Sequence, residues 1–408
     1  MRTTKCNRPF VVTSLAFIAV SCAWAQDWPQ WLGPNRDGKA PAFKAPATWP
    51  KELARKWNVP VGVGDAGPVL VGDRLYVFAR DGSSEAIRCL DATTGKEVWS
   101  DKYDAPAVSG ADRQHAGPRS TPAVVGGKVF TLGIGGTVSC LDATSGKVLW
   151  RKTDFTGVPR FHTAMSPVIV DGLCIVELGS ETDGGIVAYD LASGDQKWKW
   201  TGDGPAYSSP VPMTVEGTKM IVTITAKSIV AVGTADGKLL WQAPYAVSGM
   251  GYNAATPIVD GQTVIYCGQG RGTRAVKFEK QGDTIAPKEL WTNPDNSVQF
   301  NTPVLKNGLL FGQSMNGKLF CIDAKDGKTA WTEPGGGRGA YGTVIDAGPV
   351  LLSLNSKSQL AIFQPSEKEY TELATYKVSD KEAYGCPVLS GNRLFVKDQD
   401  SLTLWSIE

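Results

Sequence analysis

Beyond about residue 53, apolar positions come in short runs separated by polar, glycine-rich breaks, and two landmarks recur among them. One is a run that closes on tryptophan after a polar turn, as in CLDATTGKEVW (89–99), CLDATSGKVLW (140–150) and CIDAKDGKTAW (321–331). Trp57, Trp99, Trp150, Trp198, Trp241, Trp291 and Trp331 share this position, with Tyr376 in the equivalent place. The other is a small residue, a proline, a few apolar residues, a glycine turn and a second apolar run, as in TPAVVGGKVFTL from Thr121. Its copies start at Gly67, Thr121, Ser166, Ser209, Thr256, Thr302, Gly342 and Cys386, the seventh with Thr343 in place of proline.

Each unit therefore predicts four strands. The proline opens the first, where a missing N–H costs least. The Asp-x-x-x-Gly turn joins the third and fourth: Gly95, Gly146, Gly194, Gly237 and Gly327 fall where a short hairpin needs positive φ. Asp91, Asp142, Asp190 and Asp323 stand ready to accept from the turn's own N–H groups. Four-stranded units at this spacing mark an all-β, eight-bladed β-propeller of antiparallel blades. Its last blade has three strands of its own, so Leu53–Pro60 is expected to supply the fourth and close the ring, leaving no long sheet edge open. At one repeat position each, the tryptophans are read as filling the gaps between blades.

The chain divides into 1–25, 26–52 and 53–408: a signal peptide, an amino-terminal arm and the propeller. Arg2, Lys5 and Arg8 precede an apolar run, and Ala23-Trp24-Ala25 is a cleavage pattern. Soluble export, periplasmic or secreted, is favoured over a lipid anchor at Cys22, whose preceding residues lack a lipoprotein signal's leucine. The full chain carries 42 Lys+Arg against 40 Asp+Glu, and without basic runs it gives no electrostatic reason for nucleic-acid binding. Cys89, Cys140 and Cys321 share one repeat position and belong to different blades, so no disulfide is expected. Trp28 and Trp31, in WPQW, are expected to pin the arm to a blade.

The segments leading into the first strands and the loops between second and third strands share one face, around the central funnel. They bring His115, Arg119, Arg160, His162, Tyr207, Tyr252, Asn253, Arg271, Phe300, Arg338, Tyr341 and Tyr384 to that face. Such a rim suits a ligand or a partner's peptide, while the same aromatics can serve as a channel plug. Two histidines without cysteine or carboxylate at ligand spacing make no metal site. No Ser/His/Asp arrangement supports catalysis, and GQGRGTR (268–274) lacks the strand-to-helix setting of a phosphate cradle.

The phrase D-A-x-x-G-K-x-x-W, repeated in an eight-fold count, resembles the pyrroloquinoline-quinone-type repeat propellers over 53–408, most strongly in blades one, two and six. The opening DWPQWLGPNRDG is similar to the mature start of many exported bacterial propeller-repeat proteins. The resemblance implies one of two branches. Quinoprotein alcohol and glucose dehydrogenases hold the quinone and calcium in the funnel; the non-catalytic branch includes the periplasmic propeller lipoprotein of outer-membrane barrel assembly. This sequence has no adjacent cysteine pair and no clear Glu, Asn and Asp set for calcium. The expectation is a non-catalytic binding or scaffolding module with no cofactor, meeting an envelope protein or small ligand at the funnel. A quinone- and calcium-dependent oxidoreductase is the alternative, and carbohydrate binding a second one.

Overall fold

The structure, a computed structural model, describes residues 27–247, 251–282, 284–335, 337, 339 and 341–408. The signal segment with Cys22, and also Arg338, lie outside the described residues. Among the described residues, eight antiparallel sheets of four strands form a ring. Blade 1 runs Val69–Val71, Arg74–Asp81, Ser84–Asp91 and Glu97–Asp104 from the channel outwards. Blades 2 to 7 span 123–152, 168–200, 211–244, 258–293, 304–332 and 342–377. Blade 7 starts on Gly342–Asp346 without its proline. Blade 8 takes Val388–Ser390, Arg393–Lys397 and Ser401–Ser406, then Ala54–Pro60 as its outer strand. Asn58 lies opposite Thr403 there, and its Nδ2 donates to Thr403 Oγ1 at 2.7 Å.

The opening hairpin phrase has a second purpose beyond turning the chain. Gly146 has φ 73°, and a Cβ on it would lie 2.5 Å from Trp99 Cε3 of the preceding blade. The same tryptophan donates Nε1–H to Ala143 O at 3.0 Å. Trp57, Trp150, Trp198, Trp291 and Trp331 likewise donate to Ala92, Leu191, Thr234, Ala324 and Ser366 carbonyls of the next blade. Trp57, Trp99, Trp150, Trp198 and Trp291 thus seat on a glycine of the next blade's turn, where a side chain would find no room. Trp331 meets Tyr370 in a turn without glycine, and Trp241 departs further. The blade ahead of it carries a longer hairpin, Thr273–Gln281 with Thr284–Asn293, and Trp241 meets Phe278 edge-on at 5.0 Å.

The small residue before each proline also finds a reason. Thr121 N donates to Ser166 Oγ, Ser166 N to Ser209 Oγ, Ser209 N to Thr256 Oγ1 and Thr256 N to Thr302 Oγ1, all at 2.9–3.1 Å. This girdle joins blades 2 to 6 around the channel and satisfies backbone donors that no sheet partner reaches. Gly342, Cys386 and Gly67 occupy the position in blades 7, 8 and 1; a Cβ on Gly67 would lie 2.6 Å from Cys386 O.

Apolar packing follows the gaps between blades. Separate buried clusters fill the successive gaps from blade 1 to blade 7, and one larger cluster spans blades 7, 8 and 1. The arm supplies Trp28, Leu32, Ala40 and Phe43 to that larger cluster. It crosses the far end of the channel. Trp28 N donates to Leu70 O at 2.7 Å, Val124 N to Pro29 O at 2.8 Å and Ala40 N to Asp346 O at 2.7 Å. Arg36, only 5% exposed, donates to Pro167 O at 3.0 Å and Ser166 O at 3.4 Å, and burial lowers its pKa to about 9. The six described cysteines are free and buried.

Candidate functional site: the funnel chamber

Opposite the arm, the lead-in segments enclose a chamber of about 390 Å³. Its construction follows the repeat. The residue two before the small residue of each first strand faces it in seven blades: Asp65, Arg119, Ala164, Tyr207, Ala254, Phe300 and Tyr384. Where that residue is alanine, in blades 3 and 5, an aromatic from slightly earlier in the same segment also lines the chamber: Phe161 and Tyr252. Tyr341 represents blade 7.

The aromatic side chains form a continuous arc. Phe161 and Tyr207 each meet Tyr252, at 5.3 and 5.6 Å between ring centroids. Tyr252 meets Phe300 at 5.4 Å, Phe300 stacks on Tyr341 at 3.9 Å, and Tyr341 meets Tyr384 edge-on at 5.0 Å. His115, 4.9 Å from Tyr384, ends the arc. Such offset and edge-to-face pairs hold one another in place.

The polar side of the wall comes from blades 1 to 3. A turn of 3-10 helix, Gly110–His115, carries Asp112, Gln114 and His115. Asp65 Oδ2 lies 2.7 Å from His115 Nδ1, and Asp112 Oδ2 lies 2.9 Å from His162 Nδ1. Each clasp joins the lead-in of one blade to that of the next, with carboxylate and imidazole 50 residues apart, though at different repeat positions. The Asp65 hydrogen bond holds the His115 pKa above its usual range, outweighing burial, which lowers it. Arg119 Nη2 lies 3.5 Å from Asp112 and donates to His115 O at 3.0 Å, while Nη1 donates to Phe161 O.

Buried polar side chains set these segments in place. Glu177, Gln313 and Lys397 occupy one repeat position, at the end of a second strand. Glu177 accepts from Ala206 N at 3.1 Å, beside Tyr207; Gln313 donates to Tyr341 O at 3.3 Å; Lys397 donates to Gly64 O at 2.5 Å, beside Asp65. Burial pushes Glu177 up to about 8 and Lys397 down to about 8.

Of the residues read from the sequence, His115, Arg119, Tyr207, Tyr252, Phe300, Tyr341 and Tyr384 line the chamber together. His162 stands behind the wall, at φ 63°, clasping Asp112. Arg160 is exposed on the rim, its guanidinium over the Phe161 ring at 5.1 Å. Asn253 and Arg271 are braces. Asn253 Nδ2 donates to Thr225 O at 2.9 Å, and Arg271 reaches Asn253 Oδ1 at 2.5 Å while lying 3.8 Å over the Tyr245 ring. Asp65, Asp112, Gln114 and Phe161 are additions, and counting back from each small–proline pair would have exposed Asp65. Trp31 packs with Trp28 against the core, as expected of a pin, and also lines the chamber from the arm's side.

Calcium-dependent quinone binding requires several oxygen ligands on one ion. Among the described residues no three or more His, Cys, Asp or Glu side chains are grouped to hold a metal ion. Asp65 and Asp112 are each tied to a histidine, and no cysteine lines the chamber.

The comparisons with known proteins agree with the repeat. The family described as outer membrane protein assembly factor BamB matches residues 83–333. BamB of Burkholderia pseudomallei is 26% identical over 363 residues, 86% of this chain and 86% of that protein. Quinohemoprotein alcohol dehydrogenase of Comamonas testosteroni is 30% identical over 200 residues, 45% of this chain and 27% of its own length. In structure, BamB of Moraxella catarrhalis has a TM-score of 0.64 at 14% identity, over 87% of this chain and 98% of that one. The Comamonas dehydrogenase reaches 0.70 at 15%, over 96% and 82%, so likeness of fold alone does not separate the two branches. The family match runs from blade 1 to the end of blade 6, over half of the chain, and the protein belongs to the BamB family of pyrroloquinoline-quinone-type repeat propellers.

Proposed function

We propose that this protein is a non-catalytic, exported propeller that serves as a binding and scaffolding module in envelope protein assembly, with the funnel as its binding face. The observation that carries this reading is the co-extensive match to BamB of Burkholderia pseudomallei, which covers the same large share of both chains. The dehydrogenase match covers 27% of that enzyme. The chamber supports the same reading: aromatic side chains around a few placed polar groups are what a binding pocket of this size requires. No helix among the described residues is long and apolar enough to cross a membrane.

The test is a photo-crosslinking amino acid at position 114, an exposed residue at the chamber, in the native envelope. The expected product joins this chain to an outer-membrane assembly protein. Crosslinks from Leu149 on the outer edge of blade 2, with none from position 114, would overturn the funnel as the binding face.

A further inference from the structure

The chamber wall has two unlike sides. Six aromatic rings form the arc from blade 3 to blade 8, and Asp65, Asp112, His115 and Arg119 form the rest. Each carboxylate spends Oδ2 on its clasp, and no described residue donates to Oδ1 of either one. The side chains of Asp65 and Asp112 remain 17% and 14% exposed, and both line the chamber. Arg119 gives one Nη donor each to the His115 and Phe161 carbonyls and sets its charge beside Asp112. The wall therefore offers carboxylate acceptors, with the Arg119 guanidinium beside Asp112, and the unpartnered Trp31 Nε1 as a donor.

A fitting ligand donates hydrogen bonds on one side and shows C–H surface on the other. A charged ligand would lose its hydration on entering, a cost that a neutral one largely avoids, although the aromatic faces would also attract a cation. We propose that the chamber binds a neutral pyranose sugar unit, with its C–H face against the Phe300–Tyr341 side and its hydroxyls on Asp65 and Asp112. The cavity of about 390 Å³ is of the right order for such a unit. This rests on the reading of the funnel as a ligand face, and it names the class of ligand.

The full exported chain is titrated with glucose, N-acetylglucosamine and cellobiose, using sugar-detected saturation-transfer NMR and intrinsic tryptophan fluorescence. Tetramethylammonium and sulfate serve as the charged comparisons. Saturable binding of at least one sugar is expected, with transfer strongest to its ring C–H protons. Asp65→Asn should weaken it about tenfold, the scale of one hydrogen bond to a charged group. Tyr341→Leu, checked for an unchanged melt, should weaken it through the opposite wall. The proposal is overturned if no sugar binds, if only a charged probe binds, or if sugar binding ignores both substitutions. If sugars fail while position 114 still crosslinks the assembly partner, only the ligand class falls; if both fail, the funnel reading falls with it.

Discussion

Gly146 and Gly126 both sit in the left-handed region, at φ 73° and 58°, yet they answer to different constraints. A Cβ on Gly126 meets nothing within 4 Å, whereas on Gly146 it strikes the Trp99 ring. Gly126→Ala should therefore lose only the backbone term, about 1–2 kcal/mol. Gly146→Ala should lose a further ~1–3 kcal/mol from displacing the ring. Denaturant midpoints compare the two, and equal losses would contradict the seating of each tryptophan on the next blade. Glu177 makes a second residue-scale case. Its folded pKa of about 8 lies above that of an unfolded carboxyl, so the folded state holds the extra proton. The stability it contributes is full below about pH 4.3 and is lost as pH rises through 8. Glu177 also accepts from Thr223 Oγ1 at 2.6 Å; Glu177→Gln keeps an amide oxygen as an acceptor for these donors without that titration. Melting curves of parent and variant should diverge between pH 5 and 9, with the variant the more stable at pH 9. Parallel curves would show that Glu177 is ionised in the folded protein.

Among the elements, the arm gains most from the structure and was least legible before it. Trp28 is 1% exposed and bridged to Leu70, so Trp28→Ala should cost ~3–5 kcal/mol, against little for the exposed Leu149→Ala. Equal melting temperatures for these two variants would mean that the arm is not part of the core. Nothing repeats in 27–52, and Arg36 finds its carbonyl partners 130 residues and more away, so no periodicity announced them. The blades were legible for the opposite reason. The turn glycine, its aspartate and the tryptophan answer one local packing demand that recurs, and recurrence is visible in a sequence. Blade 5 shows the limit: its hairpin lacks the common turn, and Trp241 meets Phe278 instead.

At the scale of the whole molecule, ring closure was readable from strand count, since Ala54–Pro60 pairs with Ser401–Ser406 across the ends of the chain. The chamber was readable in part. Its aromatics and His115 stood out by residue type, but the Asp–His clasps join adjacent blades, and such pairing between repeats leaves no local signal. Trp31 was read as a pin, and it packs against the core; that it also lines the chamber depends on where the arm crosses the channel. A fold shared by assembly factors and dehydrogenases leaves the chemistry to the chamber's side chains. Those side chains offer carboxylate acceptors and an aromatic face, without a grouped metal-binding set of His, Cys, Asp or Glu among the described residues. The most direct test adds pyrroloquinoline quinone, calcium and an electron-accepting dye to the exported chain, with alcohols and sugars as substrates. No dye reduction above the protein-free rate is expected; sustained turnover that depends on both quinone and protein would contradict a non-catalytic propeller.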